Sequence, residues 1–321
     1  MATTTKSTRK KPVKKSTAKS KKPAAKSTSK TAVSKKTTTK SVNKPVEIKK
    51  TTVSSEVKST KKPTIQDKFT KLKKWNWVMA GLHAAQGIAV VLLAKNALFP
   101  VTTNYITLDS IASTDQAPVL VNATRNLFDV NLAYIVAAFF FMSAIAHLYI
   151  STVYKKKYTV GLEKGINKVR WYEYGVSAST MMLAIAMLSG VADLSTLVMI
   201  FGGTLVMNLC GLIMEVHNQT TAKTNWLSYI VGTIAGLGPW IVVGIYFWGA
   251  SVYGTGIPTF VYYIYASIFV FFSSFAVNMY LQYKKKGKWA DYLYGEKVYM
   301  ILSLVAKSAL AWQVFAGTLR P

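Results

Sequence analysis

Seven separate stretches of this 321-residue chain each run for about twenty residues with few charges, long enough for a helix to cross the hydrocarbon core of a bilayer. They lie at roughly 75–96, 129–153, 165–190, 194–216, 226–249, 258–282 and 297–318. In lipid a backbone must satisfy its own hydrogen bonds, so such stretches fold as helices. The expected fold class is an all-α membrane protein, a seven-transmembrane-helix bundle.

Composition adds a second, unlike part. Residues 1–74 hold 24 Lys and Arg against three acids, Glu47, Glu56 and Asp67, and so carry three quarters of the net charge of +28. Their first 63 or so residues use mainly Lys, Ser, Thr, Ala, Val and Pro, with too little apolar surface to offset chain entropy. Two domains are expected: a disordered Lys-rich cytoplasmic tail, 1–74, and a membrane domain, 75–321. The tail reads as a solvated polycationic leader that helps fix topology, or as a segment that adheres to anionic lipid headgroups. Nucleic acid is not the expected partner, because no stacking aromatics or folded reader accompany the lysines. The first residues lack the apolar stretch of a cleavable signal peptide. The one cysteine, Cys210, excludes an intrachain disulfide.

The loops set the orientation. Lys155, Lys156, Lys157, Lys164, Lys168 and Arg170 join spans 2 and 3; "YKKKGKWADYLYGEK" joins spans 6 and 7; Lys223 follows span 4. The alternate loops hold Asp109, Asp115, Arg125 and Asp193, or no charge at all. By the positive-inside bias the N-terminus is cytoplasmic and the C-terminus extracellular. Ordinary microbial rhodopsins and hormone-type receptors have the opposite orientation.

Ionisable residues at membrane depth are functional hypotheses. Lys307, in "MILSLVAKSALAWQVFAG", has about ten mostly uncharged residues on each side. An unpaired ammonium there costs roughly 2.5–3.5 kcal/mol even on lenient scales. Glu173, in "VRWYEYGVSAS", is its natural partner. The two form either a plain interhelical ion pair or an imine-forming lysine with its counterion. Ser303 lies one turn before Lys307 and Ser177 one turn after Glu173, each on the face of its charge. Trp171, Tyr174, Trp240, Phe271, Phe272 and Trp312 are candidates to wall an apolar slot. His83 and His147 read either as core histidines or as part of a wet polar cavity, with Gln86 three residues after His83. Glu215, beside His217, reads as a headgroup-level carboxylate, leaving Glu173 as the one carboxylate expected at mid-membrane depth. No metal site is expected.

"SLVAKSALAWQ", "RWYEYGVSAS", "GLHAAQG" and the N-inside topology together resemble the heliorhodopsins, over about residues 75–321. The resemblance implies all-trans retinal on Lys307 through a protonated Schiff base, with Glu173 as counterion. Ser303 and Ser177 would lie near the Schiff base and Trp312 near the chromophore; Trp171 is a further expected contact. His83, His147, Gln86 and Tyr158 would form a polar network on the cytoplasmic side. It further implies a homodimer, a slow photocycle, and a sensory role toward an unidentified cytoplasmic partner. A light-gated passive proton conductor is the alternative within this class. A lysine-imine membrane enzyme and a seven-span chemoreceptor are alternatives outside it; an enzyme is not expected.

Overall fold

The computed structural model describes residues 64–319 except Gly256 and Pro258. Most of the expected tail, residues 1–63, therefore lies outside the described residues. Its last part does not. Helix α1 spans Ile65–Leu93 and opens on a capping box: the Thr64 side chain accepts from the Asp67 backbone N–H, and the Asp67 carboxylate accepts from the Thr64 N–H. Residues 65–74, expected within the tail, are thus helical. Leu72 turns its apolar side chain into the core, which gives this turn a packing partner despite its lysines.

The remaining helices are α2 (Leu132–Ser151), α3 (Lys155–Glu163), α4 (Lys168–Leu188), α5 (Leu194–His217), α6 (Leu227–Tyr253), α7 (Thr259–Tyr283) and α8 (Tyr292–Val314). Six of them, α1, α2, α5, α6, α7 and α8, are long and apolar enough to cross a membrane. Helix α4 has the length, but Lys168, Arg170, Glu173 and its aromatics make its first half too polar to count by composition. It packs against α2, α5 and α6 and buries most of its side chains inside the bundle, so it needs no lipid-facing coat.

The segment between the first two expected spans, 97–128, is not an irregular loop but a ribbon. Strands β1 (Leu98–Leu108) and β2 (Leu120–Asn131) pair antiparallel, with a bulge between Val101 and Thr102. Thr, Val, Ile and Tyr at these positions suit an extended, pleated backbone. Thr102 N–H donates to Ala192 O at 2.8 Å, which fastens the ribbon to the α4–α5 turn. This sheet is the departure from an all-α fold.

The ribbon marks one end of the bundle. The other, basic end carries the start of α1, α3, the α5–α6 turn and the Lys284–Lys288 segment. Helices pack in the pairs α1–α2, α2–α4, α4–α5, α5–α6 and α7–α8 around the bundle, and α8 returns to α1 and α2. Between α6 and α7 the helices meet through aromatic rings: Trp240 against Tyr265, Phe269 and Phe272, and Phe247 against Tyr262 and Tyr265. Toward the ribbon end the core is apolar, with Val101, Leu132, Phe139, Met182, Leu197 and Val314 among its members.

Candidate functional site

Lys307 is buried on α8, and a helical lysine points back toward its N-terminus, here the basic end. That direction brings Nζ 3.0 Å from Glu173 Oε1 on α4 and 2.9 Å from Ser303 Oγ one turn earlier on α8. Glu173 Oε1 also meets Ser177 Oγ at 2.7 Å and Ser143 Oγ at 2.5 Å. Glu173 Oε1 thus gathers three donors, one of them the ammonium, the kind of pairing a buried ion pair requires. The Tyr174 ring lies 5.4 Å from Nζ, where its face adds to the stabilisation of the cation.

Lys307 opens onto an apolar slot. A cavity of about 40 Å³ is lined by Lys307, Ser303, Ala306, Tyr174, Met181 and Phe272 among others. A second, of about 140 Å³, includes Trp171, Tyr174, Trp240, Phe269 and Phe272 in its lining. The two share Tyr174, Met207, Asn208, Phe272 and Phe275, so they adjoin. Trp171, Tyr174, Trp240 and Phe272 thus stand where the sequence suggested. Phe271 and Trp312 are not among the lining residues. Trp312 is 38 % exposed and its Nε1–H donates to Gln86 Oε1 at 3.1 Å. Five residues at about 100° each turn it roughly 140° away from Lys307 around the helix, so it does not line this slot.

The polar network of the basic half is larger than expected and differently composed. His83 and His147 stack, ring centroids 5.7 Å apart and planes 8° apart. His147 Nδ1 bonds Asn76 Oδ1 at 2.8 Å. Asn76 Nδ2 donates to Tyr158 Oη at 3.4 Å, and Tyr158 lies 3.5 Å from Glu296 Oε1. Gln86 does not join: its Nε2 donates to Leu82 O in its own helix and its carbonyl takes Trp312. Three residues from His83, it lies about 60° off that face, far enough to meet α8 from outside.

Beyond Tyr158 lies a charge cluster. The Arg170 guanidinium pairs with both Glu215 and Glu296 and sits over the rings of Tyr299 and Trp171, 4.1 and 4.7 Å from their centroids. Asn167 N–H donates to Glu215 at 2.9 Å and the Asn167 side-chain amide to Glu296 at 2.6 Å. Tyr292 Oη donates to Glu215 at 3.0 Å. Glu215 is only 2 % exposed; it is an interior ion-pair partner, not a headgroup-level carboxylate. Its depth follows from Arg170, which α4 carries inward rather than leaving in a loop. Glu296 and Arg170 were missed as interior residues: Glu215 and Glu296 are buried as well as Glu173, which was the one carboxylate expected at mid-membrane depth. A signal existed. Glu296, Ser303 and Lys307 are spaced i, i+7, i+11, one face of a helix, and Arg170 is one turn before Glu173.

A buried primary amine at an apolar, aromatic-walled slot can condense with a long apolar aldehyde. The carboxylate beside it can hold the resulting cation. Among the described residues no group of three or more His, Cys, Asp or Glu has the arrangement of a metal site. A family model described as Heliorhodopsin matches residues 72–319; no curated protein matches the chain.

Proposed function

The chain belongs to the heliorhodopsin family, membership that implies a retinal chromophore and a light-sensing role in general, and on that premise we propose a photoreceptor with all-trans retinal on Lys307. The observation that carries this reading is the buried Lys307–Glu173–Ser303 group at the mouth of the Tyr174–Phe272 slot. The residues fit the group: the amine is interior, its partner carboxylate is held by two serines, and the slot is apolar and aromatic. Bound retinal supplies visible absorption and isomerises on illumination. The chain's own residues do the rest. Lys307 anchors through a protonated Schiff base, Glu173 is the counterion, Ser303 and Ser177 orient the pair, and Trp171, Tyr174, Trp240 and Phe272 exclude water.

The reading includes seven spans, with α4 as the seventh, an N-terminus on the cytoplasmic side and a C-terminus outside. The lysines clustered at the basic end support it. The tail would lie against anionic headgroups. A homodimer to which the ribbon contributes, a slow photocycle without ion pumping, an unidentified cytoplasmic signalling partner and no enzymatic activity complete the proposal.

One observation favours a second reading, the light-gated passive proton conductor. Polar side chains continue from Glu173 through His147, Asn76 and Tyr158 to Glu296, Glu215 and Tyr292 at the basic end.

The test of the main reading is a visible spectrum. Protein expressed with all-trans retinal should show a visible band that hydroxylamine bleaches under light. Lys307→Ala should abolish the band while the protein still inserts. A retinal-dependent visible band in that variant would overturn the attachment.

A further inference from the structure

Between the Lys307–Glu173 pair and the charge cluster lies a small cavity of about 20 Å³. Asn76, His147, Asn167, Arg170, Glu173 and Glu296 contribute to its wall. That is room for one water, with more than enough polar partners to hold it. Arg170 is 5 % exposed, and its Nε–H has no partner among the described residues. A buried guanidinium proton in such a wall calls for an oxygen in the cavity.

The cluster's charges do not balance. Glu215 and Glu296 share one guanidinium, each taking one of its two amino nitrogens. With both carboxylates ionised, the group has one more negative charge than it has cations. The titratable and charged neighbours include no second arginine and no unpaired lysine. They are His147 on α2, stacked on His83 of α1; Tyr158 on α3; Glu173 and Tyr174 on α4; Tyr283 on α7; and Tyr292 and Tyr299 on α8. Lys307 is already paired with Glu173. An uncompensated buried carboxylate is costly, and one bound proton removes the cost.

The surroundings distinguish the two carboxylates. Glu215 faces only donors: the Asn167 N–H, the Tyr292 hydroxyl and Arg170. Glu296 lines the cavity, and its contact to the Tyr158 hydroxyl is long, 3.5 Å, between two groups that can exchange donor and acceptor roles.

We propose that Glu296 is a buried proton-holding site, reached from Glu173 through the cavity and closed toward the basic end by Arg170, Glu215 and Tyr292. A proton leaving the Lys307 nitrogen passes to Glu173. From that carboxyl it passes to the cavity water, and from the water to Glu296. Each transfer breaks one N–H or O–H bond and forms one O–H bond, and no charge leaves the bundle; the last transfer needs Glu296 ionised beforehand, so the route operates above the pH at which its resting proton is lost. Only this route rests on the reading of Lys307 as the attachment site; the occupancy of Glu296 does not.

Infrared titration of the full-length, retinal-free protein in lipid nanodiscs tests the occupancy. Wild type should show a carboxylic C=O band that exchanges slowly in heavy water. Glu296→Gln should lose it, and Glu296→Asp should shift it. No titrating buried C=O band in wild type, or its persistence in Glu296→Gln, would overturn the proposal. If Glu296→Gln does not fold, an unshifted band in Glu296→Asp overturns it equally. Light-minus-dark infrared spectra of retinal-loaded protein, taken above the pH at which the dark band titrates away, test the route: the C=O band should gain intensity in wild type and not in Glu296→Gln, with the visible band kept in both. A gain that survives in Glu296→Gln rules the route out. A wild type that forms no visible band defeats the Lys307 reading and leaves the retinal-free titration to decide Glu296.

Discussion

An ammonium group in a membrane interior persists only when its surroundings replace water, and Lys307 has three such replacements: a carboxylate, a hydroxyl and an aromatic face. Removing the carboxylate's charge by Glu173→Gln should leave more of the pigment in a near-ultraviolet form at neutral pH. The remaining visible band should move to the red, because less negative charge stabilises the ground-state cation. An absorbance titration reads both effects, and unchanged spectra would point to another counterion. Arg170 is the second residue on which much depends. Arg170→Gln leaves Glu215 and Glu296 facing one another without a cation. Breaking a buried pair in this way costs about 3–5 kcal/mol, so the thermal midpoint of the protein should fall clearly. A midpoint equal to that of wild type would show that the cluster is already neutral without Arg170.

The helices hold these residues through close packing that leaves little slack. A Cβ added at Gly211 on α5 would meet the Trp171 ring within contact distance. Gly211→Ala should therefore push Trp171 into the slot it lines. The expected cost is about 1–3 kcal/mol of overpacking, together with a lower yield of retinal-bound protein, read by the ratio of visible to protein absorbance. At the ribbon end, Asp193 caps α5, accepting from the Thr196 N–H at 2.9 Å. Asp193→Ala should cost about 1 kcal/mol, as loss of an N-cap does. The Ser195 hydroxyl, then the Thr196 N–H, hold the Asp193 carboxyl below its ordinary value. A depressed carboxyl contributes stability that is present above the unfolded aspartate range, about 3.9, and lost as pH falls through the folded value. Melting curves of wild type and Asp193→Asn should therefore differ at neutral pH and converge on acidification.

The whole molecule is electrically lopsided. Among the described residues, the buried charged side chains other than the Lys307–Glu173 pair are Arg170, Glu215 and Glu296, all toward the basic end. The ribbon-end core is built from Val, Leu, Phe, Met and Ala. A pump needs proton-binding groups staged on both sides of its switch, and here one side has none among the buried described residues. Voltage clamp under illumination should show no steady current at zero voltage and symmetric pH. A stationary current under those conditions would mean active pumping. A current that appears only with a proton gradient, and reverses with it, would favour the conductor reading; Glu215→Gln should then reduce it.

Much of this was legible in the chain because membrane folding is dominated by local rules. Twenty apolar residues must be helical in lipid, so the helices follow from composition, and helical spacing alone places Ser303 beside Lys307 and Ser177 beside Glu173. Helix α4 was expected at 165–190 from a run of about twenty residues with few charges, although its first half is polar. The ribbon was not legible, since short β-branched runs between helices look like a loop until the two strands pair. Nor was the depth of Arg170, Glu215 and Glu296. Each lies within one or two turns of a helix end, where a charge ordinarily meets headgroups and water. Only the packing of α4, α5 and α8 brings the three together and excludes solvent from them. Which way a side chain faces around its helix was likewise a tertiary decision for Gln86 and Trp312, which bond each other on the outside of the bundle instead of entering the site. Local periodicity determines what each helix can present; which neighbours it meets, and therefore which charges must be paired, is decided by the bundle.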